Sequence, residues 1–204
     1  MKKTILLSLF LFVFNQMKAQ EFSRKDSLQG GLREERTCYD VLRYDLDIRI
    51  DPEKKWLFGS NTITFKVDDD TNKIQVDLFE NMILDGITLD NIPKIEFTRE
   101  FNAVFVHFPE ELKKGETHKL IIYYRGNPII AKNAPWDGGF VFTKDKKQNP
   151  WIGVAVQGTG ASLWYPCKDS QSDEPDNGAS IKVAVPNGLM NVSNGRFLGS
   201  TDLK

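Results

Sequence analysis

From Val41 the chain alternates: Leu42, Tyr44, Leu46, Ile48 and Ile50 are apolar, and the residues between them are Arg or Asp. A period of two places every second side chain on one face of a strand, whereas an amphipathic helix needs a period near 3.6. The same habit returns over residues 57–67, 73–79, 82–89, 94–98, 103–108, 119–124 and 179–185. Between these runs stand Asp51-Pro52-Glu53, Asp68-Asp69-Asp70-Thr71-Asn72, Asp85-Gly86, Asn91-Ile92-Pro93, Lys113-Lys114-Gly115 and Pro186-Asn187-Gly188, all of them turn chemistry. Many short strands with frequent turns predict an all-β fold, a curved sandwich of saddle-like antiparallel sheets.

Two stretches stand apart from that pattern. Residues 20–38 are polar and charged and read as an extended N-terminal arm. After Gly126-Asn127-Pro128 a long segment rich in Gly, Pro and Lys reads as loop, with Trp136, Gly138-Gly139-Phe140 and Trp151 embedded in it. The stretch Asn191-Val192-Ser193-Asn194-Gly195 reads as a hairpin-like end.

The first residues carry a different message. Lys2 and Lys3 precede an apolar run from Ile5 to Phe14, and a polar stretch ends in Ala19. That is the layout of a secretory signal peptide over residues 1–19, and the run is shorter than the ~20 apolar residues a bilayer span requires. The expectation is an exported protein, periplasmic or extracellular, with no stable membrane anchor. Net charge is −1 over the whole chain, and no basic stripe is present, which argues against nucleic acid as a partner.

Few residues here can do metal or nucleophilic chemistry. His107 and His118 are the only histidines, and neither has an i, i+4 histidine partner. Asp68, Asp69 and Asp70 lack the spacing and turn glycine of a calcium loop and read as a solvated turn. Cys38 and Cys167 are the only cysteines. In an exported protein they permit a disulfide, and two buried free thiols are the competing reading. Neither has the neighbouring ligand of a zinc site.

The stretch from Gln157 to Asp176 is where a ligand is expected. Gly158 and Gly160 lie just ahead of Trp164, Tyr165 and Pro166, with the Gln157 amide at the entrance. Gly158-x-Gly160 lacks the third glycine and following helix of a nucleotide turn. Gly-x-Gly-x-Ser162 is not a nucleophile elbow. Asp169, Asp173, Glu174 and Asp176 offer an acid and base pair, or else a solvated acidic turn. A glutamine amide at the mouth of an aromatic and glycine-lined turn can accept a hydrogen bond from an ammonium group, or it is an ordinary satisfied amide, and the charge on such a donor strengthens the bond.

The run Trp164-Tyr165-Pro166-Cys167-Lys168-Asp169, reached through Gln157-Gly158-Thr159-Gly160-Ala161, resembles the N-terminal domain of the aminopeptidase N family of zinc metallopeptidases, which also contains the leukotriene-A hydrolases. Tyr39-Asp40-Val41-Leu42-Arg43-Tyr44-Asp45-Leu46, Leu57-Phe58-Gly59-Ser60, Gly139-Phe140, Val185-Pro186-Asn187-Gly188 and Val192-Ser193-Asn194-Gly195 carry the likeness from about Tyr39 to Gly195. It implies a domain over residues 39–204, incomplete at its C-terminal end, which caps the catalytic cleft of a secreted aminopeptidase. Counting back from Pro166, Gln157 falls where the family binds the free amino terminus of a peptide, and Gly158 belongs to the same substrate-binding turn. The position two residues earlier, often Gln in the family, is Ala155, so a second amide contact is lacking. Asp169 occupies the acid position of the family motif and reads as structural.

The family's zinc is held by a His-Glu-x-x-His helix and a later Glu, none of which occurs in this sequence. The resemblance therefore places zinc and catalysis on a separate catalytic domain, the partner of this one, and implies that this chain alone is inactive. The rival reading is a stand-alone secreted β-sandwich module that binds peptide or carbohydrate on Trp136, Trp151 and Trp164.

Overall fold

The computed structural model describes residues 22–203, and the leader read over residues 1–19 lies outside the described residues. Ten strands dominate: β1 (Tyr39–Asp51), β2 (Trp56–Val67), β3 (Thr71–Asp77), β4 (Met82–Leu89), β5 (Glu96–Glu100), β6 (Ala103–Leu112), β7 (Thr117–Gly126), β8 (Gly139–Lys144), β9 (Pro150–Ala155) and β10 (Ala179–Ala184). They form a five-stranded sheet in the order β10-β1-β2-β7-β4, a three-stranded sheet β3-β6-β5 and the hairpin β8-β9. The pairs are antiparallel except β1 with β10, which run parallel with Tyr44 opposite Ala179 and Arg49 opposite Ala184. Among the described residues no helix is long and apolar enough to cross a membrane.

The alternation does what a period of two dictates. Tyr44, Leu46 and Ile48 of β1, Ile63 and Phe65 of β2, and Leu120, Ile122 and Tyr124 of β7 point into one core. Their neighbours Asp47, Arg49 and Lys66 are exposed. The phase is not constant, however. A bulge between Val41 and Arg43 inserts one residue against β2, so Tyr39 and Val41 face the core while Leu42 does not.

Strand β3 breaks the alternation, because Ile74, Gln75, Val76 and Asp77 are all buried. Ile74 and Val76 join the main core. Gln75 and Asp77, which alternation would turn to water, are covered by the N-terminal segment. That segment is not an extended arm: it holds α1 (Arg24–Gly30) and α2 (Glu34–Thr37). Ser23 and Asp26 form a capping box that starts α1, and Leu28 is buried against Ala103 and Phe105. Arg36 of α2 is 2% exposed.

The segment read as loop after Pro128 contains β8 and β9, joined by a turn in which Asp145 accepts backbone N–H groups from Lys147 at 2.7 Å and Asn149 at 2.9 Å. Residues 191–195, read as a hairpin-like end, form no strand. The two cysteines are buried free thiols. Cys38 Sγ lies 3.9 Å from the Lys73 carbonyl, whereas Cys167 exchanges backbone hydrogen bonds with Asp77. Lys73 and Asp77 sit four residues apart on one strand, about 13 Å, which is beyond the reach of a disulfide.

Candidate functional site

The site begins where β9 ends. The Val156 carbonyl accepts the backbone N–H groups of Thr159 at 3.1 Å and Gly160 at 2.9 Å, and the Thr159 hydroxyl at 3.1 Å. This closes a tight turn with Gln157 and Gly158 at its tip, Gly158 taking a φ of 72° that favours glycine. Gln157 is exposed, and among the described residues its amide makes no hydrogen bond.

Immediately after the tip the chain dives into the core. Gly160 has a φ of 87°, and a Cβ there would lie 1.9 Å from Asp169 Oδ2, so the Asp169 carboxylate rests on bare backbone. That carboxylate accepts the Ser162 hydroxyl at 2.6 Å and the Ser162 N–H at 3.2 Å, tying down a 3-10 turn over Ala161–Leu163. Trp164 follows, packed edge-on against Tyr165 at 4.8 Å and Phe140 at 6.3 Å. The Pro166 carbonyl accepts the Asn61 amide at 2.8 Å.

Behind this run lies a buried polar cluster. Arg36 donates to Asp77 at 2.7 Å, to the Leu28 carbonyl at 3.0 Å and to the Asp169 carbonyl at 2.9 Å. Gln75 donates to the Leu28 carbonyl at 2.9 Å and to Asp77 at 2.8 Å, and the Asp169 N–H donates to Asp77 at 3.1 Å. Burial pushes the Asp77 carboxyl up to about 6, against the pull of Arg36, Gln75 and the Asp169 N–H. Burial likewise drives the Cys167 thiol well above its ordinary range, which leaves it a weak nucleophile.

The acidic loop is divided. Lys168 lies with its ammonium 4.4 Å from the Tyr39 ring centroid and pairs with Asp173, whose side chain is 6% exposed. Asp173 also accepts the Val41 N–H at 3.4 Å. Asp169 and Asp173 thus hold backbone in place, while Glu174 and Asp176 are exposed. The loop is neither an acid and base pair nor a wholly solvated turn. Among the described residues no group of three or more His, Cys, Asp or Glu side chains could hold a metal ion. His107 bonds Thr98 at 2.9 Å, and His118 sits between Asp90 and Glu116 at 2.8 Å and 3.3 Å.

The hairpin that carries Gln157 was hidden in the sequence by its Gly, Pro and Lys content. Its signal was two short apolar runs flanking the turn residues 145–149. Gly139 pairs with Ala155 and Thr143 with Trp151, so the hairpin's open end carries the Gln157 turn and its far end carries Trp151. Trp136 is 76% exposed and Trp151 63%, but Trp164 is taken up by the core. The three tryptophans do not share one platform.

The family model described as peptidase M1 N-terminal domain matches residues 41–204. Among solved structures, a Deinococcus radiodurans M1 zinc metallopeptidase variant bound to a Tyr-Ser-Ala substrate superposes with a TM-score of 0.56 at 21% identity, over 78% of this chain and 37% of that one. Yeast LTA4 hydrolase in complex with bestatin gives a TM-score of 0.58 at 17% identity, over 83% of this chain and 26% of that one. At these identities the likeness is one of fold, and this chain spans well under half the length of either structure. No curated protein matches the chain.

Proposed function

Because the chain belongs to the peptidase M1 N-terminal domain family, we propose that it is the cleft-capping domain of an exported zinc aminopeptidase and that Gln157 holds the free amino terminus of the peptide substrate. The observation that carries this is the contrast within one short stretch: an exposed amide at the tip of a glycine turn, anchored by a run whose own polar groups are bonded inside the domain. Such a tip presents the Gln157 amide oxygen as an acceptor for an ammonium group without adding charge. Gly158 keeps the tip free of a second side chain.

The described residues do not fit a zinc site. The zinc, and the hydrolysis, belong in this reading to a catalytic domain that the capping domain partners, and the chain by itself does not cleave peptides. The basic and apolar layout of residues 1–19 supports export.

The test is Gln157→Ala in the complete enzyme. A contact to a charged donor contributes about 1.5–3 kcal/mol, so kcat/KM for unblocked aminoacyl substrates should fall roughly ten- to hundredfold. An unchanged kcat/KM would show that Gln157 does not touch the amine.

A further inference from the structure

We propose that the tip of the β8-β9 hairpin docks on an anionic lipid bilayer, Trp151 among the headgroups and Lys144, Lys146 and Lys147 on their phosphates. This surface lies at the opposite end of the hairpin from the Gln157 turn and does not depend on what Gln157 binds. The hairpin divides along its length. Phe142 and Ile152, a cross-strand pair, pack against the main core. Alternation turns the next pair, Thr143 and Trp151, to the opposite face, where Gly153 beside Trp151 adds no side chain. From that pair outward every residue but Asp145 is exposed, and Trp151 keeps 63% of its surface open to solvent.

The charge at the tip is unbalanced. Its one carboxylate, Asp145, is spent on the turn itself: it accepts the Lys147 N–H at 2.7 Å, the Asn149 N–H at 2.9 Å and the Asn149 amide at 3.0 Å. Among the described residues Lys144, Lys146 and Lys147 make no ion pair. The β6-β7 turn shows the contrast. Lys113 and Lys114 also stand side by side there, but Asp69, Asp70 and Glu111 pair with them. Three unpaired ammonium groups on a chain of net charge −1 make a local site for an anionic partner. The indole decides which partner. A polymer strand is gripped by rings repeated along its length. Here one ring stands alone, since Trp164 is in the core and Trp136 precedes β8 at the hairpin's open end. A single indole with lysines about it suits a bilayer surface, the ring at headgroup depth and the flexible lysine stems reaching phosphate. Such a hold is peripheral and reversible.

The experiment uses the complete protein without residues 1–19, so that the apolar leader cannot itself enter lipid. It measures sedimentation with vesicles of phosphatidylcholine alone and of phosphatidylcholine with phosphatidylglycerol, the latter at low and at high salt. Binding should require phosphatidylglycerol and fall steeply with salt. Replacing Lys144, Lys146 and Lys147 together by Gln should weaken it about a hundredfold. Trp151→Ala should weaken it about tenfold, whereas Lys113→Gln with Lys114→Gln should leave it unchanged. Brominated lipid should quench part of the tryptophan emission, and that part should vanish in Trp151→Phe. The tip substitutions leave the Asp145 contacts in place, so unfolding midpoints should match the wild type. No binding to phosphatidylglycerol vesicles, equal binding to both vesicle types, or an undiminished triple variant would overturn the proposal. Quenching that survives in Trp151→Phe would do the same. Dextran sulfate that holds wild type and Trp151→Ala equally, where vesicles hold neither, would overturn the lipid surface in favour of a soluble polyanion.

Discussion

Residues 156–169 hold two regions of opposite character. At the front, Gln157 is exposed and its amide has no partner among the described residues. At the back, Asp169 bonds through its carboxylate, its N–H and its carbonyl, to Ser162, Asp77 and Arg36. A buried polar group must be satisfied within the fold, whereas an exposed one is free to serve something outside it. The back therefore answers to stability, the front in the function proposed above answers to a ligand, and the two should respond differently to substitution.

The largest effect should come from the back. Asp77→Ala leaves Arg36 buried beside two carbonyls with no counter-charge, which costs about 3–5 kcal/mol. Against a total stability of roughly 5–15 kcal/mol that is severe. Urea unfolding of the chain checks it, and a midpoint near wild type would mean that the cluster is not load for the fold. Replacing Arg36 and Asp77 together by apolar residues should recover much of the loss, because the uncompensated charge goes with its partner.

Next in size is the joint between the regions. Gly160→Ala combines a φ of 87° with a Cβ 1.9 Å from Asp169 Oδ2, so it strains the backbone and displaces the carboxylate that ties down Ser162. The expected cost is about 1–3 kcal/mol, read by the same unfolding experiment. If Gly160→Ala is neutral, the tip and the cluster are not mechanically joined.

Acidity separates the cluster from Glu35 of α2, which pairs with Arg33 and Lys73 instead. Asp77 has a folded pKa of about 6, above its unfolded value, so its contribution is fully present at low pH and is lost as pH rises from about 4 to about 6. Glu35 runs the other way. Burial raises it, but Lys73, a backbone N–H and Arg33 hold it at about 2, so its contribution is present above about 4.5 and lost as pH falls through 2. Unfolding midpoints of wild type and Asp77→Asn should diverge in slope between pH 4 and 6. Parallel curves there would show that Asp77 titrates as it does in the unfolded chain.

The sequence disclosed these regions unequally, for a physical reason. A strand writes its period into adjacent residues, so β1, β2, β4, β6 and β7 were legible. The arm's helices were not, because seven and four residues are too few to show a 3.6 period, and tertiary contacts at Leu28 and Arg36 fix them. The buried polar cluster left no local trace either: Arg36 meets Asp77 across 41 positions and Asp169 meets Asp77 across 92. Gln75 and Asp77 read as solvent-facing until the segment that covers them is in place. Gln157 is marked in the sequence as the amide at the entrance of a glycine turn and gains its role only through family resemblance, and the structure adds its exposure and its turn.

The smallest expected effect on stability is also the sharpest test of the comparison. Gln157→Ala removes a side chain that is exposed and makes no hydrogen bond among the described residues, so unfolding should shift by no more than about 0.5 kcal/mol. The turn beneath it is closed by backbone groups of Val156, Thr159 and Gly160 and by the Thr159 hydroxyl, none of which the substitution touches. A loss above 1 kcal/mol would mean that the amide is part of the fold, and the case for an amine-binding front would go with it. A silent Gln157→Ala in the isolated domain, set beside a ten- to hundredfold loss in the complete enzyme, would show that the tip is shaped for something the domain does not itself contain.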